Sequence, residues 1–320
     1  AQFYSVHPRL LLALLELQSG WITRPDPPDS TLTYPFGRVE VRREGLYRQT
    51  RWAANQLNSG YYLWRVGGLS TWAFPDGSRA TINGGLNAGT AGVQSFFAEL
   101  DSPPEWQNRV SENGQFAALY QSWFGDPFSD AFDPLVPRAL VQPPLALPFE
   151  PGRVWSFTGG PHGAWDTGSG WAALDFGPPA EVEGCTTSDE WVTAAAPGLI
   201  VRAGNGAVLQ DLDGDGNEGS GGVLFYMHIE PGGRVAPGSR LQAGDRIGHP
   251  SCEGGFADAT HLHFARKYNG EWIPADGALP FILDGWVSSG AGKEYDGYLT
   301  KGVQSVEAYN GRAALNEISR

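Results

Sequence analysis

Sulfur is scarce in this chain: 320 residues hold two cysteines, Cys185 and Cys252, and one methionine. An even pair of cysteines in an acidic chain rich in Trp and Gly suits one disulfide in an oxidising compartment; two unpaired thiols are the alternative. Basic residues are also in short supply, 22 Lys and Arg against 35 Asp and Glu, for a formal charge of −13. That balance excludes nucleic-acid binding through a basic face of the whole chain. No apolar stretch reaches the roughly 18 residues that a membrane-spanning helix needs. The apolar run Leu10 to Leu17 is short, lacks a basic leader and a small-residue cleavage site, and reads as a buried helix. The chain opens at Ala1-Gln2 without a Met, which suits a processed or trimmed form.

What is abundant points to a globular, turn-rich protein. The length exceeds the size at which single cores usually stop growing, so two domains are expected. Hydrophobic residues make up 41%, enough for ordinary cores. Gly (44) and Pro (24) favour turns, loops and short strands over a long helical bundle. Twelve Trp are many; most are expected in cores, although the same ring also serves carbohydrate- or peptide-binding surfaces.

The texture changes along the chain. Residues 1–133 read as a helical domain. Pro8 fits a first helical turn and Gly20 a stop. Further helices are expected near 47–57, 90–100 and 114–124, with Val93, Phe96, Phe97 and Leu100 sharing one face of the third. Residues 134–152 are a proline-rich linker or strap, in which regular helix is forbidden and a central strand improbable. From 153 to 290 short apolar runs alternate with Gly and Pro turns, as in 198–202, 207–209, 223–227, 246–248 and 262–265. These are sheet signals. A tail, 291–320, is expected to pack on this β-rich domain. The whole reads as α+β multidomain.

Six histidines carry the chemical argument, and five of them fall in the β-rich half: His162, His228, His249, His261 and His263. A lone His is usually a satisfied structural group. His261-Leu262-His263 differs, because residues two apart on a strand face the same way and present two imidazoles side by side. Burying such a pair without an acid or a metal is costly. Catalytic zinc takes three protein ligands and leaves a place for water, so a third group is needed. Candidates lie in Gly159-Gly160-Pro161-His162 and in Trp171-Ala172-Ala173-Leu174-Asp175-Phe176. Asp175 has apolar neighbours, which suggests an inward-pointing carboxylate that is paired or metal-bound.

This ordered set resembles the lysostaphin-type zinc endopeptidases of bacterial cell walls (peptidase family M23) over roughly residues 154–275. Ala194-Ala195-Ala196-Pro197-Gly198 is similar to that family's small-residue turn, and Leu224-Phe225-Tyr226-Met227-His228 to its strand ending in His. Gly238 and Gly244-Asp245-Arg246-Ile247-Gly248 resemble its Gly-marked turns, and Thr260-His261-Leu262-His263-Phe264 closes the pattern. The resemblance implies an antiparallel β-rich peptidase domain in which His162, Asp175 and His263 bind Zn2+ and His228 and His261 form the catalytic pair. Many members space the first His and Asp by four residues; here His162 and Asp175 are thirteen apart, as in the staphylolysin branch, which cuts glycine-rich peptides. Asp166 sits at the short spacing and competes for the ligand role, with Asp175 preferred for its apolar run. His249, before Pro250, has no counterpart and is read as structural.

Two fainter signals remain. Asp211, Asp213, Asp215 and Asn217 resemble the start of a Ca2+ loop, but position 12 is Gly222 rather than Glu, and a solvated hairpin turn is the plainer reading. The segment His7 to Gly20 resembles the first helix of lysozyme-like lytic transglycosylases. In that family the residue before Ser is a catalytic Glu; here it is Gln18, which cannot act as an acid, and Glu16 lies on another helical face. Such a domain would be degenerate, packing on the peptidase or binding wall polymer.

The function expected is zinc-dependent hydrolysis of peptide bonds in peptidoglycan cross-links, either glycine-rich or stem peptides, by a secreted or cell-envelope protein. A non-catalytic wall-binding relative would be expected to lack ligands. A zinc amidase commonly carries a Glu base in place of the second His pair.

Overall fold

The structure is a computed structural model that describes residues 1–182 and 184–320. It is an α+β chain of two compact units: residues 1–132 with 165–169, and residues 133–164 with 170–320.

Helices build the first unit: α1 (Pro8–Ser19), α2 (Asp29–Thr33), α3 (Leu46–Arg65), α4 (Ala88–Ala98), α5 (Pro103–Val110) and α6 (Gln115–Phe124). His7 caps α1, its Nδ1 accepting from the Arg9 N–H, and Gly20 ends it in the left-handed conformation. Leu11, Leu14 and Leu15 recur on one face and bury against Trp52, Leu57, Phe96 and Phe97. The helix expected at 47–57 runs longer, to Arg65, and α5 has no counterpart in the sequence reading. Its start was legible, since Ser102 and Glu105 form a capping box around Pro103. A two-stranded hairpin, β1 (Thr71–Ala73) and β2 (Arg79–Thr81), also interrupts the helices. No helix among the described residues is long and apolar enough to cross a membrane.

Strands build the second unit: β3 (Val154–His162), β4 (Ala173–Gly177), β5 (Val192–Thr193), β6 (Gly198–Gly204), β7 (Ala207–Asp211), β8 (Gly222–Met227), β9 (Arg240–Leu241), β10 (Arg246–Gly248), β11 (Leu262–Tyr268), β12 (Glu271–Trp272), β13 (Ile282–Leu283), β14 (Trp286–Gly290), β15 (Gly297–Lys301), β16 (Gln304–Glu307) and β17 (Glu317–Ser319). The main sheet runs β17-β3-β4-β11-β8-β7-β6-β9, antiparallel throughout, with β12 folded onto β11. A second sheet runs β13-β14-β15-β16. The tail is therefore built into the unit, β17 edging the main sheet beside β3.

Alternation sorts the centre of the main sheet into two faces. Leu262 and Phe264 on β11 join the large core with Leu174 and Phe176 of β4 and Tyr226 of β8. His263 lies on the opposite face, where it meets Phe225 at 6.0 Å between ring centres. The proline-rich strap forms no named strand, since its prolines remove ladder donors. Its apolar side chains still bury: Leu145, Leu147 and Phe149 are in the same core, and Phe149 stacks on Trp155 at 4.9 Å.

Candidate metal centre

Three adjacent strands bring the candidate ligands together. In the β4–β11 register Asp175 stands directly opposite His263, and in the β3–β4 register His162 stands opposite Ala173. Irregular register on either side of Gly159 swings the end of β3 inward. Glycine is needed there, because a Cβ on Gly159 would lie 2.8 Å from Asp175 Oδ2 and 3.1 Å from Asp175 Cβ. A Cβ on Gly160 would lie 2.7 Å from the Asp296 backbone. Gly159→Ala is therefore expected to displace Asp175 and to weaken metal binding about 10-fold or more, the scale of losing an orienting contact. Zinc titration checks this, against circular dichroism that stays at the parent's level.

Three inward atoms form a near-equilateral triangle. His162 Nε2 lies 3.0 Å from His263 Nδ1, Asp175 Oδ1 lies 3.2 Å from His162 Nε2, and Asp175 Oδ1 lies 3.1 Å from His263 Nδ1. The outward nitrogen of each ring faces a backbone carbonyl: His162 Nδ1 meets Gly160 O at 2.8 Å and His263 Nε2 meets Ala164 O at 3.0 Å. A carbonyl can only accept, so those outward nitrogens carry the protons. In neutral rings the inward nitrogens then offer lone pairs, as does Asp175 Oδ1, which is buried and has no hydrogen-bond donor among the described residues. Three buried acceptors at this spacing repel one another. One proton could bridge a single edge of the triangle, whereas a cation at its centre satisfies all three. Tetrahedral zinc with ligands near 2.0–2.1 Å has ligand atoms about 3.3 Å apart, close to the observed separations. The donor set of two imidazoles and one carboxylate therefore fits zinc.

The three groups are also coupled electrostatically. Burial alone would raise the Asp175 carboxyl, but the neighbouring histidines, His162 foremost, hold it well below the usual carboxylate range. Burial pushes His162 down, yet the charge of Asp175 more than offsets this and raises it. Burial dominates at His263 and lowers it.

A second imidazole pair flanks the triangle. The His228 and His261 rings lie 4.4 Å apart, and His261 Nε2 is 3.8 Å from Asp175 Oδ1. Both rings turn Nδ1 to a carbonyl, His228 to Glu253 O at 3.1 Å and His261 to Ala259 O at 2.8 Å. Their Nε2 atoms are thereby left to accept. Burial, with His261 and His263 nearby, pushes His228 down to about 3, so it is neutral at ordinary pH. His228 follows β8 with φ of 68°, a left-handed conformation costly for a side chain with Cβ. Its carbonyl accepts from Ser251 N and Ser251 Oγ, which hold that conformation. His261 immediately precedes β11 and pairs with Ser251 in an isolated bridge, so the expected His-x-His strand begins one residue late.

Other sequence candidates lie elsewhere. Asp166 falls in the first unit, where it accepts from Tyr4 OH at 2.8 Å and meets Arg51 at 3.4 Å. His249 donates to Glu190 O at 2.8 Å and packs on Trp191. The carboxylates of Asp211, Asp213 and Asp215 lie within 4.8 Å of one another. Asp211 accepts from the amides of Asp213, Gly214 and Gly216, and Asp215 from that of Asn217, so the carboxylates also order the turn that carries them. Cys185 and Cys252 are bonded to each other. Glu16 accepts from the Ile22 and Thr23 amides and so caps the turn after α1. One neighbour escaped the sequence reading: Tyr295, with φ of 69°, stacks on His162 at 4.2 Å. Nothing local in Lys293-Glu294-Tyr295-Asp296 marks it, because it arrives from the tail.

A family model described as the LasA N-terminal domain matches residues 1–137. Protease LasA from two strains of Pseudomonas aeruginosa is 28% identical over 294 residues, which cover 86% of this chain and 66% of the relative. The chain thus spans 66% of the length of those curated relatives. Among solved structures, the M23 metalloprotease pseudoalterin from the deep sea is 23% identical with a TM-score of 0.44, covering 57% of this chain and 99% of its own. The catalytic domain of lysostaphin from Staphylococcus simulans is 25% identical with a TM-score of 0.27, covering 38% of this chain and 87% of its own. The chain is thus similar to protease LasA over most of its length, and its amino-terminal part to the LasA N-terminal domain.

Proposed function

We propose that this chain, a relative of the M23-type peptidases, is a secreted or cell-envelope zinc metalloendopeptidase that hydrolyses peptide bonds of peptidoglycan cross-links. The observation that carries the reading is the buried triangle of His162 Nε2, Asp175 Oδ1 and His263 Nδ1, in which the carboxylate oxygen has no hydrogen-bond donor among the described residues. These residues would hold the zinc. Zinc in such a site supplies a Lewis acid for a carbonyl and brings the pKa of water from about 15.7 toward 7.

The chain's own groups handle protons and orientation. His228 and His261 turn Nδ1 to backbone carbonyls and so leave Nε2, beside the triangle, as the position at which a neutral ring accepts a proton from the attacking water. The ring that has taken the proton can then donate to the oxygen that gains charge or to the leaving amine. Glycine-rich cross-links are the favoured substrate, because the His162-to-Asp175 spacing resembles the staphylolysin branch.

The proposal is tested by incubating purified, zinc-loaded protein with pentaglycine and with purified cell walls. New amino termini from both, abolished by a chelator and restored by zinc, support it. Release of intact stem peptides from the sugar would show an amidase instead, and wall binding without any cleavage a non-catalytic relative.

A further inference from the structure

The imidazoles of His228 and His261 take their aim from a loop rather than from the sheet. Their Nδ1 atoms face Glu253 O and Ala259 O, and both carbonyls belong to residues 251–260. This loop forms no named strand, and a bridge between Ser251 and His261 joins its ends. Gly254 and Gly255 sit in the left-handed region with φ of 69° and 50°, and Phe256 is 91% exposed. A loop of this kind contributes little burial of its own and has much entropy to lose.

Beside the Arg234–Glu253 ion pair at 3.2 Å and the hydrogen bond from Ser251 Oγ to His228 O, two pins tie the loop to one short segment, residues 184–186. At the start of the loop Cys252 is bonded to Cys185. At its end Thr260 is buried, donates Oγ1 to Thr186 O at 2.5 Å and accepts from Thr186 N at 2.9 Å. Thr260 N also donates to Gly184 O at 3.0 Å. The orienting carbonyls lie immediately inside the pins: Glu253 follows Cys252, and Ala259 precedes Thr260. Among the described residues these pinning groups bond to the loop and to residues 184–186, not to the metal triangle.

We propose that the Cys185–Cys252 disulfide and Thr260 are positioning residues for the catalytic pair, fixing the Glu253 and Ala259 carbonyls and through them the tautomer and aim of His228 and His261. The inference rests on the proposed function for its kinetic readout but not for its spectroscopic one. An imidazole whose Nδ1–H is held by a carbonyl keeps Nε2 as the acceptor. With the carbonyl adrift, the ring rotates and the tautomers mix. The two pins therefore act on proton transfer, while the metal site, built on β3, β4 and β11, keeps its geometry.

Thr260→Val is the sharpest test, since it keeps the shape and removes the hydroxyl. Zinc content should stay at the parent's level, and KM should change little. The kcat on pentaglycine should fall roughly 10- to 100-fold, the scale for outer hydrogen-bond partners. Thr260→Ser should restore most of it. The Cys185→Ser, Cys252→Ser double variant should show the same split. In 15N-histidine-labelled protein the ring N–H signals of His228 and His261 should broaden or exchange, while those of His162 and His263 persist. Folded Thr260→Val with parental kcat and unchanged His228 and His261 ring signals would overturn the proposal. Loss of all four ring signals together with the zinc would overturn it too, by showing a general structural role. A parent protein that binds zinc yet cleaves nothing would sink the peptidase reading alone, because the ring signals still decide the positioning.

Discussion

His263→Ala is expected to leave a folded protein that no longer retains zinc. His263 supplies one corner of the triangle, and its removal leaves His162 Nε2 and Asp175 Oδ1 facing each other at 3.2 Å. Affinity should fall by well over the roughly 100-fold that loss of an outer partner costs. Turnover should vanish with the metal. Asp175→Asn should behave alike, since an amide brings no charge to a site whose two other donors are neutral. Asp166→Asn should retain parental affinity, because the Asp166 carboxylate is engaged by Tyr4 and Arg51. Zinc titration by calorimetry on the three variants checks this. Parental affinity in His263→Ala, or loss in Asp166→Asn alone, would contradict the ligand assignment.

His261→Ala and His228→Ala are expected to do the reverse. Neither ring is a corner of the triangle, so zinc should be retained at about one per chain. Proton transfer loses its acceptor, and kcat should fall by about 100- to 10,000-fold, the usual contribution of a positioned acid or base. KM should move far less, because the loss falls on the transition state. Steady-state kinetics on pentaglycine, with metal analysis of the same samples, separates the two classes of variant. Zinc lost from His261→Ala to the same extent as from His263→Ala would mean that the pair and the ligands have been exchanged.

How much of this was legible depends on how local each signal is. The His261-Leu262-His263 spacing carries its meaning in a period of two, and the structure sets both rings beside Asp175. Asp175 stood out as a carboxylate in an apolar run, and that run is the buried strand β4. The apolar run favours Asp175 over Asp166 in the sequence already, and the contacts with Tyr4 and Arg51 add where the Asp166 carboxylate goes. Helix α1 was legible end to end, since Pro8 and Gly20 mark both limits. Helix α5 is marked in the sequence chiefly by Ser102 and Glu105, because its 8 residues are too few to establish an apolar period of their own. The carbonyls of Glu253 and Ala259 could not be read at all. Backbone carbonyls are the same in every residue, and only tertiary placement turns two of them into orienting groups. Tyr295 belongs with them, brought to His162 by a tail whose own sequence is plain.

The most direct test of the central claim is the metal content of the purified, folded chain after exposure to excess zinc and removal of what is loosely bound. Close to one zinc per chain is expected, falling to none in the variant that lacks His263. Folded protein that stays free of zinc, or that holds as much without that imidazole as with it, would contradict the account.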